Sequence, residues 1–139
     1  MPPTDATRYS QIYRAITRGG WFDVSLQRVA SVSFALNFDR NETGISLVKE
    51  VGCSVDECVG GFRTCFGEFR MLTQSIIDLG LSVVDDNEDD PDYDANHAQI
   101  TGLPLGREEA DELARENFYS ALADLATLHY DRKGRYARI

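Results

Sequence analysis

The carboxy-terminal segment from Arg107 to about Tyr130 is the feature that most restricts how this chain can fold. Its apolar residues recur every three or four positions, the spacing of one buried helix face: Ala110, Leu113, Ala114, Phe118 or Ala121, Leu122, Leu125 and Leu128. Acidic residues in the first turns favour a helix N-terminus there. A helix with one apolar stripe needs a second layer, so we expect it to cover a β-sheet.

Several upstream segments have the alternation or the β-branched and aromatic content of strands. The predicted strands are Tyr9 to Ile16, Val29 to Phe38, Ile45 to Val48, Leu81 to Val84 and His97 to Leu103. In the first of these the spacing of the apolar residues also suits a short helix, but the aromatic and β-branched content favours a strand. A polar stretch ending in glycine, residues 39–44, predicts a hairpin between the second and third of these. Residues 73–79 are expected to form a short helix that ends at Gly80, whereas the pattern of residues 62–72 leaves helix and strand open.

Together these elements predict one α+β domain over residues 1–139, with a small mixed or antiparallel sheet covered by the long carboxy-terminal helix. A chain of 139 residues is long enough to bury a core without disulfides or metal. We expect residues 1–8 and 131–139 to be flexible and residues 85–96 to form an exposed acidic loop.

The acidic loop and the net charge of −9 indicate what kind of partner this chain binds. A field of that sign repels phosphate backbones, so general nucleic-acid binding is not expected, whereas a protein with a basic surface fits. The loop lacks the glycine and glutamate spacing of an EF-hand, and no metal is expected in it. The candidate partner-binding carboxylates are Asp85, Asp86, Glu88, Asp89, Asp90, Asp92 and Asp94.

The cysteines and the amino terminus indicate the compartment. Cys53, Cys58 and Cys65 are odd in number and lack the close pairs of a zinc ribbon, which favours reduced thiols. No basic start is followed by an apolar run, and no stretch reaches membrane-spanning length. We therefore expect a cytoplasmic protein with no membrane association and no cofactor.

Two side chains stand out as candidates for chemistry. Arg14, beside a tyrosine in a predicted strand, is suited to bidentate binding of a phosphate or carboxylate, although a surface ion pair would also explain it. His97 begins a predicted strand next to the acidic loop; it could act as a general acid, join Asp92 or Asp94 in holding a metal, or cap the strand through backbone hydrogen bonds. The position of His129 near the predicted helix end is explained by the helix dipole.

A set of motifs resembles those of a family of small uncharacterised bacterial proteins. They are Tyr13-Arg14-x-Ile16, the following Trp21, Ser33-Phe34-Ala35, Gly44-Ile45-Ser46, and His97-Ala-x-Ile-x-Gly102. The resemblance implies no established activity. It does imply that the fold brings Arg14, Ser46 and His97 together as a group.

The early strand arginine is also loosely similar to that of ADP-ribosyltransferase-type and RES-type folds. This resemblance implies that Arg14 contacts the dinucleotide NAD, that Ser33 is the serine of a second strand, and that Glu68 is the catalytic acid. The Glu-x-Glu or Gln-x-Glu pair of such enzymes is absent around Glu68.

The leading expectation for function is an acidic, cytoplasmic protein-binding or regulatory module, such as an immunity, antitoxin or inhibitor-like protein of a bacterial or phage conflict system. One alternative is a NAD-consuming or ADP-ribosyl-transferring enzyme that uses Arg14, Glu68 and His97. A second alternative is an acidic mimic of nucleic acid. The enzyme alternative predicts that Arg14, His97 and a carboxylate line one cleft.

Overall fold

The structure, a computed structural model, describes residues 11–16, 18–38, 42–49, 67–85 and 97–131. Most of the strands form one six-stranded sheet, and Phe22–Asp23 pairs with Arg28–Val29 in a separate two-stranded hairpin. Two α-helices accompany the strands in these ranges. The elements are β1 Gln11–Ile16, β2 Phe22–Asp23, β3 Arg28–Val29, β4 Ile45–Val48, β5 Gly67–Leu72, α1 Thr73–Asp78, β6 Ser82–Asp85, β7 His97–Thr101, α2 Glu109–Leu125 and β8 Thr127–Asp131.

Every neighbouring pair of strands in the main sheet is antiparallel, in the order β6-β7-β4-β1-β5-β8. The first strand therefore lies in the interior of the sheet. It pairs with β5 along its whole length, and among the described residues its register with β4 is the pair Tyr13 and Val48. The predicted α+β fold, an antiparallel sheet with a long carboxy-terminal helix, is confirmed.

The largest hydrophobic cluster lies on one face of this sheet. Alternate residues such as Ile12, Leu47 and Phe69 point to that face and are buried, as the period of two in a strand requires. Helix α2 adds Leu122 to the same core and packs most extensively against the 3-10 turn at Ser31–Phe34. The hydroxyl of Tyr119 fastens the helix by accepting a hydrogen bond from the Leu36 N–H at 3.1 Å.

The buried face of α2 differs from the predicted stripe. Leu113 is 60% exposed, while Arg115 is only 6% exposed because its guanidinium donates to the Pro104 and Gly106 carbonyls and lies over the Phe38 ring at 4.8 Å. The buried positions are Arg115, Tyr119, Leu122 and Ala123. Neither helix within the described ranges has the length and apolar content needed to cross a membrane.

The predicted end of this helix near Tyr130 is wrong. The chain leaves the helix after Leu125, and residues 127–131 form the edge strand β8 instead. Leu128 still packs against the core, but from a strand. Leu128 therefore has the spacing of a helical core residue, but it reaches the core from an extended strand.

The predicted strand from Val29 to Phe38 is also wrong, apart from its first residue. After β3 the chain turns at Ser31–Phe34, where the Ser33 hydroxyl donates to the Ala30 carbonyl at 2.7 Å and closes the turn. The predicted hairpin fails too, since β4 pairs with β1 and β7. The predicted strands at β1, β4, β6 and β7 and the helix α1 before Gly80 are confirmed.

Candidate functional site

The predicted catalytic residues lie on both faces of the sheet. Arg14 is paired with Phe69, so its side chain points to the core face, whereas Glu68 is paired with Ala15 and points to the opposite face. His97 is paired with Val48, which is itself paired with Tyr13, so it shares the face of Glu68. Arg14 therefore does not line one cleft with Glu68 and His97.

Arg14 ties three parts of the fold together. Its Nε donates to the Ser33 carbonyl at 2.8 Å and its Nη1 donates to the Ser46 carbonyl at 2.6 Å. The guanidinium also lies 4.9 Å from the Trp21 ring centroid and 5.6 Å from that of Phe34, within the range of cation–π attraction. These contacts fasten β1 to the Ser31–Phe34 turn and to β4.

The environment of Arg14 is poorly solvated. Burial lowers the pKa of Arg14 from its ordinary value to about 10, an effect that the nearby Glu42 carboxylate opposes. The group is still cationic at neutral pH. Of the expected group Arg14, Ser46 and His97, the fold brings the first two together, but through the backbone carbonyl of Ser46 rather than its hydroxyl.

Glu68 and His129 form the second polar cluster, on the face opposite Arg14. The Glu68 side chain is completely buried, and its Oε1 lies 4.0 Å from Nε2 of His129. The imidazole packs against the Tyr13 ring, with centroids 5.0 Å apart and the planes tilted by 43°. Its side chain is 30% exposed, so solvent reaches the histidine but not the carboxylate.

A β-bulge explains why His129 is placed there. In the β5–β8 pairing Glu68 is opposite Tyr130 and Phe69 is opposite Leu128, so His129 is the extra residue of the edge strand. Such bulges bend a strand and redirect a side chain. His129, which the sequence did not indicate as a site residue, is therefore the histidine beside Glu68. The available signal was Thr127 and Tyr130, two residues of β-favouring types in a segment where helix was predicted.

His97 stands at the end of the sheet where β4, β6 and β7 meet. On the core face at this end, Lys49 Nζ lies 3.1 Å from Asp85 Oδ1, and the two side chains are 5% and 23% exposed. The pair lies beside the small Ala98 of the intervening strand, which is opposite Asp85. Asp85, a predicted partner-binding residue, is thus engaged inside the fold.

The other predicted partner-binding carboxylates lie outside the described residues: Asp86, Glu88, Asp89, Asp90, Asp92 and Asp94. The three cysteines lie outside them as well. Among the residues that are described, no group of three or more His, Cys, Asp and Glu side chains could hold a metal ion.

Comparison with known proteins finds no relative of this chain. No family model matches the chain, and no curated protein sequence or solved structure matches it. The resemblances to small bacterial proteins and to ADP-ribosyltransferase-type folds stay predictions that rest on the quoted motifs.

Proposed function

We propose that this chain is a protein-binding regulatory module whose partner presents a basic surface, in the manner of an immunity, antitoxin or inhibitor protein. The observation that carries the proposal is the charge distribution of α2. The helix has one basic residue, Arg115, and that residue is buried against the Pro104 and Gly106 carbonyls. Its exposed side presents the carboxylates Glu109, Glu112 and Glu116.

The arrangement of these carboxylates supports binding to a cationic partner. Residues three and four apart share one side of a helix, so the three glutamates lie on one side, and Glu109 and Glu116 are next to the exposed Leu113. Charge of one sign beside an apolar contact steers an oppositely charged protein and fixes its orientation. The predicted acidic segment at residues 85–94 adds charge of the same sign to a chain of net charge −9.

The test is affinity capture with the full chain, identification of the captured protein, and calorimetric titration of that purified protein. Affinity is expected to fall at least tenfold between about 50 mM and about 300 mM sodium chloride, because surface charges are screened over a Debye length. The triple variant Glu109→Gln, Glu112→Gln, Glu116→Gln is expected to weaken binding to a similar extent.

A matched pair of single variants separates a specific surface from a general charge effect. Glu112→Gln and Asp78→Asn each remove one exposed negative charge, the first on the proposed surface and the second on α1. Only Glu112→Gln should weaken the complex. Equal affinities for both variants and the unchanged chain, with no dependence on salt, would contradict the proposal.

A further inference from the structure

We propose that β6 is an edge strand of the main sheet to which an extended segment of another protein, rich in lysine or arginine, pairs as a further strand. In this mode of recognition the backbone hydrogen bonds of the added strand supply affinity, and its charges supply selectivity. The edge contains none of the residues of the α2 surface. Its occupancy therefore does not depend on the function proposed for that helix.

The position of β6 in the sheet is the first argument. It lies at one end of the strand order, and within the described ranges its pairing partner is β7 alone. An edge strand directs alternate backbone N–H and C=O groups away from its neighbour, where another chain can hydrogen-bond to them. Residues Ser82–Asp85 provide this row of groups.

The regularity of this edge is the second argument. β6 is matched with β7 residue by residue from Ser82 to Asp85, with no shift of register. The opposite edge, β8, is interrupted by the bulge at His129, and a bulge is one of the devices that prevent an edge from pairing with another chain. β6 has no such interruption and contains neither proline nor lysine, the residues that commonly have the same effect.

β6 is held in the extended conformation before any partner binds. Val83 is buried in the core, α1 packs against the strand, and the Asp85 carboxylate is fixed by the Lys49 ammonium at 3.1 Å. A strand that is already ordered loses little entropy when another strand pairs with it. On the other face of the sheet, Ser82 is exposed and Val84 is half-buried, so both side chains can contact the directly opposite residues of an added strand.

Charge determines the kind of segment that pairs there. Asp78 is exposed on α1, the helix that precedes β6, and the sequence that directly follows the strand has six carboxylates and no lysine or arginine in residues 86–94. The chain attaches this charge to the end of β6. A second copy of the chain would bring the same negative charge to the edge, which repulsion disfavours. A segment in which lysine or arginine alternates with apolar residues is instead attracted.

The experiment titrates the purified full chain into a fluorescently labelled peptide of alternating lysine and valine and measures anisotropy. Two further peptides carry the same charge but are N-methylated, one at every second residue and one at every residue. The first keeps one edge that can hydrogen-bond and should still bind. The second keeps none, so its affinity should be at least about tenfold lower, since several backbone hydrogen bonds are lost. Attraction between charges alone would bind all three peptides equally.

A matched pair of chain variants locates the added strand. Ser82→Lys and Thr127→Lys each replace an exposed hydroxyl residue by lysine, the first in β6 and the second in the other edge strand, β8. Like charges directly opposite each other across a strand pair are destabilising, so Ser82→Lys should weaken peptide binding by about fivefold. Thr127→Lys changes the net charge by the same amount and should leave the affinity within about twofold of the wild type.

Circular dichroism establishes that both variants are folded, and the methylated peptides decide the matter with the wild-type chain alone. No saturable binding of the unmethylated peptide, equal binding of the fully methylated one, or an equal loss in both variants would overturn the proposal. A dimer of the chain alone that is lost in Ser82→Lys would identify a second copy as the occupant and would overturn it too. The α2 surface keeps all its glutamates in both variants, so its proposed function is tested separately.

Discussion

Nη1 of Arg14 donates a hydrogen bond to the Ser46 carbonyl at 2.6 Å, and this contact fastens β1 to β4 near Tyr13 and Val48, which are paired across the two strands. The arginine side chain thus adds a connection between two strands that are also paired through their backbones.

Replacing Arg14 should destabilise the fold. Arg14→Met removes two hydrogen bonds from a charged donor to carbonyls and two ring contacts, so we expect the free energy of unfolding to fall by about 3 kcal/mol. Arg14→Lys should lose most of this, since an ammonium lacks the planar fork that reaches both carbonyls. Urea denaturation measures both. The exposed Arg18, replaced by Met, is the control and should change stability by under about 0.5 kcal/mol.

The lowered pKa of Arg14 makes stability depend on alkaline pH. The folded chain releases this proton near pH 10 and the unfolded chain only at the higher pH of an ordinary arginine, so between those two pH values the unfolded state binds more protons. The penalty for burying the charged group is complete below pH 10 and is relieved as the pH rises. The free energy of unfolding of the wild type, relative to Arg14→Met, should therefore increase by about 1 kcal/mol between about pH 9 and about pH 11. A constant difference would contradict this.

The orientation of α2 can be tested at two leucines. Leu122 is completely buried, so Leu122→Ala should lower the free energy of unfolding by about 3 kcal/mol through lost burial and a cavity. Leu113 is 60% exposed, and Leu113→Gln should change it by under about 0.5 kcal/mol. Thermal or urea denaturation distinguishes them. A large loss at Leu113 would favour the predicted stripe over the observed one.

The ion pair between Lys49 and Asp85 should show coupling in a double-mutant cycle. Asp85→Asn leaves the Lys49 ammonium buried without its carboxylate, so we expect a loss of about 2 kcal/mol, less than for a fully buried pair because Asp85 is partly exposed. After Lys49→Met, the further change Asp85→Asn should cost much less. Additive losses in the double variant would show that the two side chains do not stabilise each other.

Local patterns in the sequence were sufficient for much of the fold. The alternation in β4 and β7 and the short helix before Gly80 depend on residues within a few positions of one another, and the structure has each of them. The periodicity of residues 109–125 likewise indicated the long helix, and these elements together implied the α+β class. Such features follow from side-chain spacing along a regular backbone, which is a local property.

Contacts between distant parts of the chain determined the features that the local patterns did not predict. Nothing near Ser33 in sequence indicates that the guanidinium of Arg14 will bond to its carbonyl, yet this bond accompanies a turn where a strand was predicted. Nothing near His129 indicates that a bulge opposite Glu68 will bring the imidazole to 4.0 Å from a buried carboxylate. Strand pairing determines which residues share a face, and that pairing is chosen by the packing of the whole chain.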